Sequence, residues 1–207
     1  MLKHLGLLSQ HAAKKFGDKD ALLFGNQSFS FQELHDMIEK FGAGLISLGV
    51  KEKDVVTLYA SNSWEWIVSY FAIARVGAVI NPVNTMLTPP EIIYVVNDCG
   101  AKTIIASEDK IQALKNIREH TQIENIISFG EKKNGVVSFN SILATNFPSA
   151  KKPEVSPNDL STIAYTSGTT GHPKGAMQSH EAVILNGSMT SQLHMRGPDD
   201  TVVSALP

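Results

Sequence analysis

Between residues 54 and 129, short β-branched apolar segments alternate with longer capped helical ones, and this alternation constrains the fold more than any other feature of the chain. The strand-like segments are 54–60, 78–81, 103–106 and 125–129. The helical ones are 64–76, opened by Asn62 and Ser63; 88–98, opened by Thr88, Pro89, Pro90 and Glu91; and 110–120. Ser and Thr accept hydrogen bonds from the free N–H groups of a first helical turn, and a Glu three residues on reciprocates. Proline fits that turn because the N–H it lacks would have no partner there. Strands separated by helices of this length are βαβ units, which build a mostly parallel sheet flanked by helices. The expected fold class is therefore α/β.

The flanking segments extend this pattern. Residues 2–16 have helical spacing (Leu5, Leu8, Ala12, Phe16) and stop at Gly17. Residues 21–24 and 28–30, around Gly25 and Asn26, predict a hairpin. Ser30 and Glu33 form a capping box, and the helix they open carries the stripe Leu34, Met37, Ile38, Phe41, Leu45 and Leu48 up to Gly49. Residues 129–157 break the rhythm with Gly130, Gly135, Pro153, Pro157 and four lysines, and predict an exposed connection. The expected organisation is a first α/β subdomain over 1–130, a loop-rich connection over 131–157, and a second subdomain with its own sheet starting at 158–207. In that last part Ser179 or His180 should open a helix to about Leu193, and Gly197–Asp200 a turn before a final strand from Thr201.

Composition narrows the function. With 207 residues, 43% of them hydrophobic, the chain can bury a substantial core. A net charge of −2 with scattered basic residues leaves no electrostatic footprint for nucleic acid. The single cysteine, Cys99, excludes an internal disulfide framework, suits a reducing cytosol, and is expected to serve as a small core residue. No run reaches the ~18 apolar residues of a spanning helix, and the N-terminus lacks the pattern of a secretory signal.

The chemistry concentrates at residues 165–175, Tyr-Thr-Ser-Gly-Thr-Thr-Gly-His-Pro-Lys-Gly, which follow the strand-like Leu160-Ser-Thr-Ile-Ala. Gly168 and Gly171 let backbone N–H groups turn inward, Thr166, Ser167, Thr169 and Thr170 add hydroxyl donors, and Lys174 adds one mobile positive charge. That set suits a polyphosphate, although Gly/Ser/Thr/Pro composition alone equally describes a surface loop. A Walker A loop is excluded, because Lys174 is followed by Gly175 and Ala176 and not by Ser or Thr at a helix start. Pro173 and the apolar Ala176 and Met177 predict strand–loop–strand. The seven histidines show no metal-site spacing. His172 and His180 are expected not to be catalytic, His180 being placed for a structural hydrogen bond at a helix start. Trp64 and Trp66 read as core or subunit-surface residues, and Asp199 and Asp200 as turn residues.

The ordered string resembles the signature loop of the adenylate-forming superfamily, which includes acyl-CoA synthetases, aryl-CoA ligases, peptide-synthetase adenylation domains and luciferase-like enzymes. Every fixed position matches, with His172 at the variable one. Phe29-Ser-Phe-Gln-Glu-Leu34 is similar to the family's first core motif, and Phe71-Ala-Ile-Ala-Arg-Val-Gly-Ala78 with Val79-Ile-Asn-Pro-Val-Asn84 to the second, so the resemblance spans nearly the whole chain. It implies the N-terminal part of the family's large α/β domain. It implies ATP, Mg²⁺ and coenzyme A, with Thr166, Ser167, Gly168, Thr169, Thr170, Gly171 and Lys174 on the phosphates. It also implies a share for Thr166 in holding Mg²⁺ beside a glutamate from a later motif, and no catalytic residue within these 207 positions. Residues 80–91 look like the CoA-ligase version of their segment, which points to a fatty or aryl carboxylic acid. The expectation is an N-terminal fragment of an acid–thiol ligase, inactive alone and cytoplasmic, with a homodimer as one assembly it allows. The alternatives are a non-catalytic phosphate-binding module, an adenylation domain that loads a carrier protein, and a luciferase-like oxygenase.

Overall fold

The computed structural model describes residue 2 and residues 4–148, 153–166 and 173–204. A 3₁₀ turn at Leu5–Leu7 runs into α1 (Leu8–Phe16), and β1 (Asp20–Phe24) pairs antiparallel with β2 (Gln27–Ser30). Next comes α2 (Phe31–Ser47), whose capping box forms as the residues demand. Ser30 Oγ accepts from the Glu33 N–H at 3.1 Å, and the Glu33 carboxylate accepts from the Ser30 N–H at 2.8 Å. The alternating region gives β3 (Val55–Tyr59), α3 (Trp64–Arg75), β4 (Val79–Pro82), α4 (Pro89–Cys99), β5 (Thr103–Ala106), α5 (Ile117–His120) and β6 (Asn125–Ser128). Then follow β7 (Val137–Ser138), α6 (Phe139–Ala144), β8 (Leu160–Thr166), β9 (Lys174–Ser179) and α7 (His180–Leu193).

The seven strands β3–β9 form one sheet in the order β7-β6-β5-β3-β4-β8-β9, parallel except for β9, so the α/β expectation holds. Side chains alternate across a strand, and the two apolar clusters divide accordingly. Val56, Leu58, Ile80, Ile105 and Ile127 face α2, α3 and α6, while Tyr59, Ile104, Ala106 and Ile126 face α4 and α5. Central strands covered on both faces carry apolar residues on both, which is why β3 to β6 are rich in Val and Ile, with Thr57 and Asn81 as a buried polar pair among them.

Four sequence expectations change. The helix expected over 110–120 is instead a 3₁₀ turn at Glu108–Leu114 followed by the short α5. Ile111, Leu114 and Ile117 pack on the same cluster at a spacing of three, the period of a 3₁₀ helix and not of an α-helix. Within the stretch expected to be an exposed connection, β7 joins the sheet edge and α6 enters the core. Phe139 is fully buried, with its ring 4.4 Å from Phe41 and 5.6 Å from Trp64. Here Gly44 allows α2 to touch α6, since a Cβ on it would lie 2.1 Å from Ile142 Cγ2. The hairpin β8–β9 does not open a second sheet; β8 pairs in parallel with β4. The strand expected from Thr201 does not form among residues 201–204, where Val202 and Val203 are exposed and no strand pairs with them.

The N-terminal segment is fastened to α7 by an imidazole. Ser179 caps α7, and His180 beside it is buried at 1% exposure, with Nδ1 accepting from the Leu5 N–H at 3.3 Å. The expected structural hydrogen bond is therefore present. Burial first, and the neighbouring His4 second, push the His180 pKa down to about 4, against a weaker upward pull from Asp159. Burial and Arg75 lower His4 in the same direction. An unfolded chain takes up a proton near pH 6.5 that the folded chain refuses until about pH 4. Stability from His180 is thus complete above about pH 6.5 and declines as the pH falls towards 4, by at most about 3 kcal/mol. Urea midpoints should drop across that window in the native chain. They should drop less in His180→Asn, whose amide oxygen can accept from Leu5 without titrating; an equal drop in both would acquit His180.

Candidate functional site

A parallel sheet exposes the carboxyl ends of its strands along one edge, and ligands of α/β folds bind there. Because β8 runs parallel to β4, its last residue, Thr166, arrives at that edge, and β9 leaves from the same place. The final registered pair of the hairpin is Thr166 with Lys174, preceded by Tyr165 with Gly175 and Ala164 with Ala176. A strand thus stands on either side of residues 167–172, and the one that follows them is a strand and not a helix, as Pro173 and Ala176 suggested. Ser167, Gly168, Thr169, Thr170, Gly171 and His172 lie outside the described residues.

The two flanking positions are described. Both are exposed, and Lys174 enters no ion pair among the described residues. Directly opposed positions of an antiparallel pair stand about 5 Å apart at Cα. A hydroxyl and an ammonium that pairs with no carboxylate among the described residues therefore stand opposite each other on the two strands, a donor set that suits a phosphate. Among the described residues, the first helix after β8 is α7, which begins only after β9, at His180. Anion binding here would draw on the loop's own N–H groups, its hydroxyls and Lys174, without a helix N-terminus.

Three contacts seat the loop-bearing strand, and sequence reasoning missed all of them. Asn81, fully buried on β4, accepts from Thr57 Oγ1 at 3.0 Å and donates from Nδ2 to the Ile163 carbonyl at 2.8 Å. The pairing of β4 with β8 registers only at Ile80 and Thr162, so this side-chain bond extends a short ladder. The hydroxyl of Tyr165 donates to the Asp98 carboxylate of α4. Burial, and then that bond to an anion, pushes the Tyr165 pKa far up. Opposite the Tyr165 ring, Gly175 leaves the needed space, since a Cβ there would lie 3.2 Å from Tyr165 Cζ and 2.8 Å from Ile163 Cγ2. An asparagine in one apolar strand and a threonine in the strand before it were the one signal that could have been noticed, but the partners of Asn81 lie 24 and 82 residues off.

Other candidates fall into structural roles. Cys99 is half-buried, with its Sγ 3.8 Å from Asn81 Oδ1, and burial raises its pKa, which suppresses thiolate chemistry. Trp64 packs on Phe29 and Phe139, and Trp66 stacks on Tyr70. Asp199 pairs with Lys19, and Asp200 accepts from the Gly197 N–H in a turn. Among the described residues no group of three His, Cys, Asp or Glu side chains could hold a metal ion, and no helix is long and apolar enough to cross a membrane. Of the groups suggested for Mg²⁺, only the Thr166 hydroxyl is described. It fits as one oxygen donor to an ion that takes few protein ligands.

A mostly parallel sheet that presents a glycine- and hydroxyl-rich hairpin loop at its carboxyl edge is the layout of a nucleotide-handling α/β protein. Residues 9–207 match the AMP-binding enzyme family, and the chain belongs to it. Among relatives, it is 29% identical over 201 residues to an indoleacetate–CoA ligase of Aromatoleum aromaticum, covering 97% of this chain and 39% of that protein. It is 31% identical over 233 residues to a long-chain-fatty-acid–CoA ligase of Salmonella typhimurium, covering 97% and 41%. Among solved structures, an anthranilate CoA ligase in complex with anthranoyl-AMP superimposes with a TM-score of 0.83 at 28% identity, covering 92% of this chain and 36% of that one. A long-chain-fatty-acid-CoA ligase of Archaeoglobus fulgidus gives 0.87 at 26%, covering 96% and 41%. The chain thus spans about two fifths of the length of these relatives.

Proposed function

We propose that this chain supplies the phosphate grip of an ATP-dependent carboxylate–CoA ligase. In the reaction a carboxylate oxygen attacks the α-phosphorus of ATP, forming an acyl-adenylate and releasing pyrophosphate. The thiol of coenzyme A then displaces AMP to give the thioester. The observation that carries the reading is the Thr166–Lys174 pair at the carboxyl edge, within a chain of the AMP-binding enzyme family. The ammonium of Lys174 would neutralise charge on the leaving pyrophosphate. Hydroxyls of Thr166, Ser167, Thr169 and Thr170, with the open backbone at Gly168 and Gly171, would fix the triphosphate so that the α-phosphorus faces the acid. Mg²⁺, bound in part by Thr166, would offset phosphate charge. We further propose a fatty or aryl acid as substrate, a cytoplasmic setting and a homodimer. Loading of a carrier protein in place of coenzyme A is the second reading, and the choice of thiol acceptor separates the two.

The test is ATP–pyrophosphate exchange across a panel of fatty and aryl acids, by the protein that carries this chain, with coenzyme A added in a parallel series. Exchange that depends on one class of acid, with thioester formed when coenzyme A is present, is expected. Exchange indifferent to every carboxylate would overturn the ligase reading.

A further inference from the structure

The mouth of the loop is held from outside the sheet, by a residue that belongs to none of the motifs named above. Tyr165 is the last β8 residue before Thr166, and its hydroxyl bonds the carboxylate of Asp98, 67 residues earlier near the end of α4. Its ring lies across Gly175, the residue that follows Lys174. An aromatic ring over a cross-strand glycine restores the packing that the missing side chain forfeits. Both faces of the pair next to the mouth are therefore occupied: Gly175 by the ring, and the ring's far end by Asp98. The partner helix is itself fixed, because α4 opens with a capping box at Thr88 and Glu91 and buries Ile92, Val95 and Val96 in the core. Tyr165 is thus tied to an element packed into the core.

We propose that Asp98 is a positioning residue for phosphate binding: through the Tyr165 hydroxyl it holds the Tyr165–Gly175 pair closed and so sets the spacing of Thr166 and Lys174. Asp98 touches no phosphate. It acts by limiting how far the end of the hairpin can splay, so its loss lowers the fraction of molecules whose two anchors face each other. The role rests on the reading of residues 165–175 as a phosphate grip, and its test has one arm that does not depend on that reading.

The first arm is amide hydrogen exchange of the end of the hairpin, residues 164–166 and 174–176, in the protein that carries this chain. Tyr165→Phe keeps the ring over Gly175 and removes the hydroxyl; Asp98→Ala removes the acceptor. Each should speed exchange at these amides about 5-fold, as loss of one hydrogen bond of ordinary net strength does. The double variant should be no faster than either single one. Asp98→Asn, which keeps an acceptor oxygen, should recover part of the protection, and amides of β3 and β5 should be unchanged. The second arm is steady-state kinetics of the protein that carries this chain. The same variants, in the same order, should raise KM for ATP by a similar factor with kcat little changed. Unchanged exchange at the hairpin in all variants overturns the proposal, as does faster exchange with an unaltered KM for ATP. If the unsubstituted protein lacks carboxylate-dependent activity, the ligase reading fails, and the first arm still decides whether Asp98 holds the hairpin.

Discussion

Replacing Lys174 with alanine is expected to cut carboxylate-dependent ATP–pyrophosphate exchange by roughly 100-fold, the range seen when a preorganised charge-stabilising donor is removed from a reacting centre. The side chain is exposed and makes no ion pair among the described residues, so the fold should not notice its loss. Surface changes of this kind stay within about 0.5 kcal/mol. Unfolding curves of Lys174→Ala and the native protein should therefore overlay while activity collapses. Lys174→Arg should recover only part, because a planar guanidinium restores the charge but not the compact reach of an ammonium. Normal exchange in the alanine variant would remove Lys174 from the grip.

The second large effect is on stability. Asn81→Ala should cost about 3 kcal/mol, since it leaves the Thr57 hydroxyl and the Ile163 carbonyl unpaired in the core and opens a small cavity. For a chain of this size that corresponds to a fall in Tm of about 6–12 °C. Removing polar partners together is less costly than orphaning one of them. Asn81→Leu combined with Thr57→Val should accordingly unfold at a higher urea concentration than Asn81→Leu alone. The reverse order would mean that the asparagine is tolerated in the core and does not fasten β8.

The parts of this fold that could be read from residues alone are those set by local chemistry. Ser30 with Glu33 and Thr88 with Glu91 announce helix starts because both partners lie within one turn. Tyr165 through Gly175 could be recognised because the order of glycines, hydroxyls and lysine is itself the signal, and Pro173 with Ala176 separated it from a strand–helix turn. Tertiary packing decided the rest. The segment from Phe139 to Ala144 is too short for a helical period to show, and only Phe41 and Trp64 explain why it is buried. The 3₁₀ turn at Glu108–Leu114 carries apolar residues at a spacing of three, which a reader expecting 3.6 absorbs into an α-helix. Asp98 looks like one more exposed acid at a helix end until Tyr165 is brought beside it.

The strand order also dictates a sequence of events in time. Val55 finds Val79 and Thr103 finds Asn125 within fewer than about thirty residues of chain, whereas Ile80 must wait for Thr162, about eighty residues further on. Loop-closure entropy grows with the length of chain enclosed, and contacts distant in sequence slow a folding reaction. The strands β3 to β6 should therefore assemble first, with the edge of β4 unpaired until β8 arrives. During that interval an apolar strand edge is open to other chains, the condition under which newly made proteins aggregate. The strand that brings Thr166 to its place is also the one that shields β4, so a sequence change that weakens its docking would show itself first as poor recovery of soluble protein.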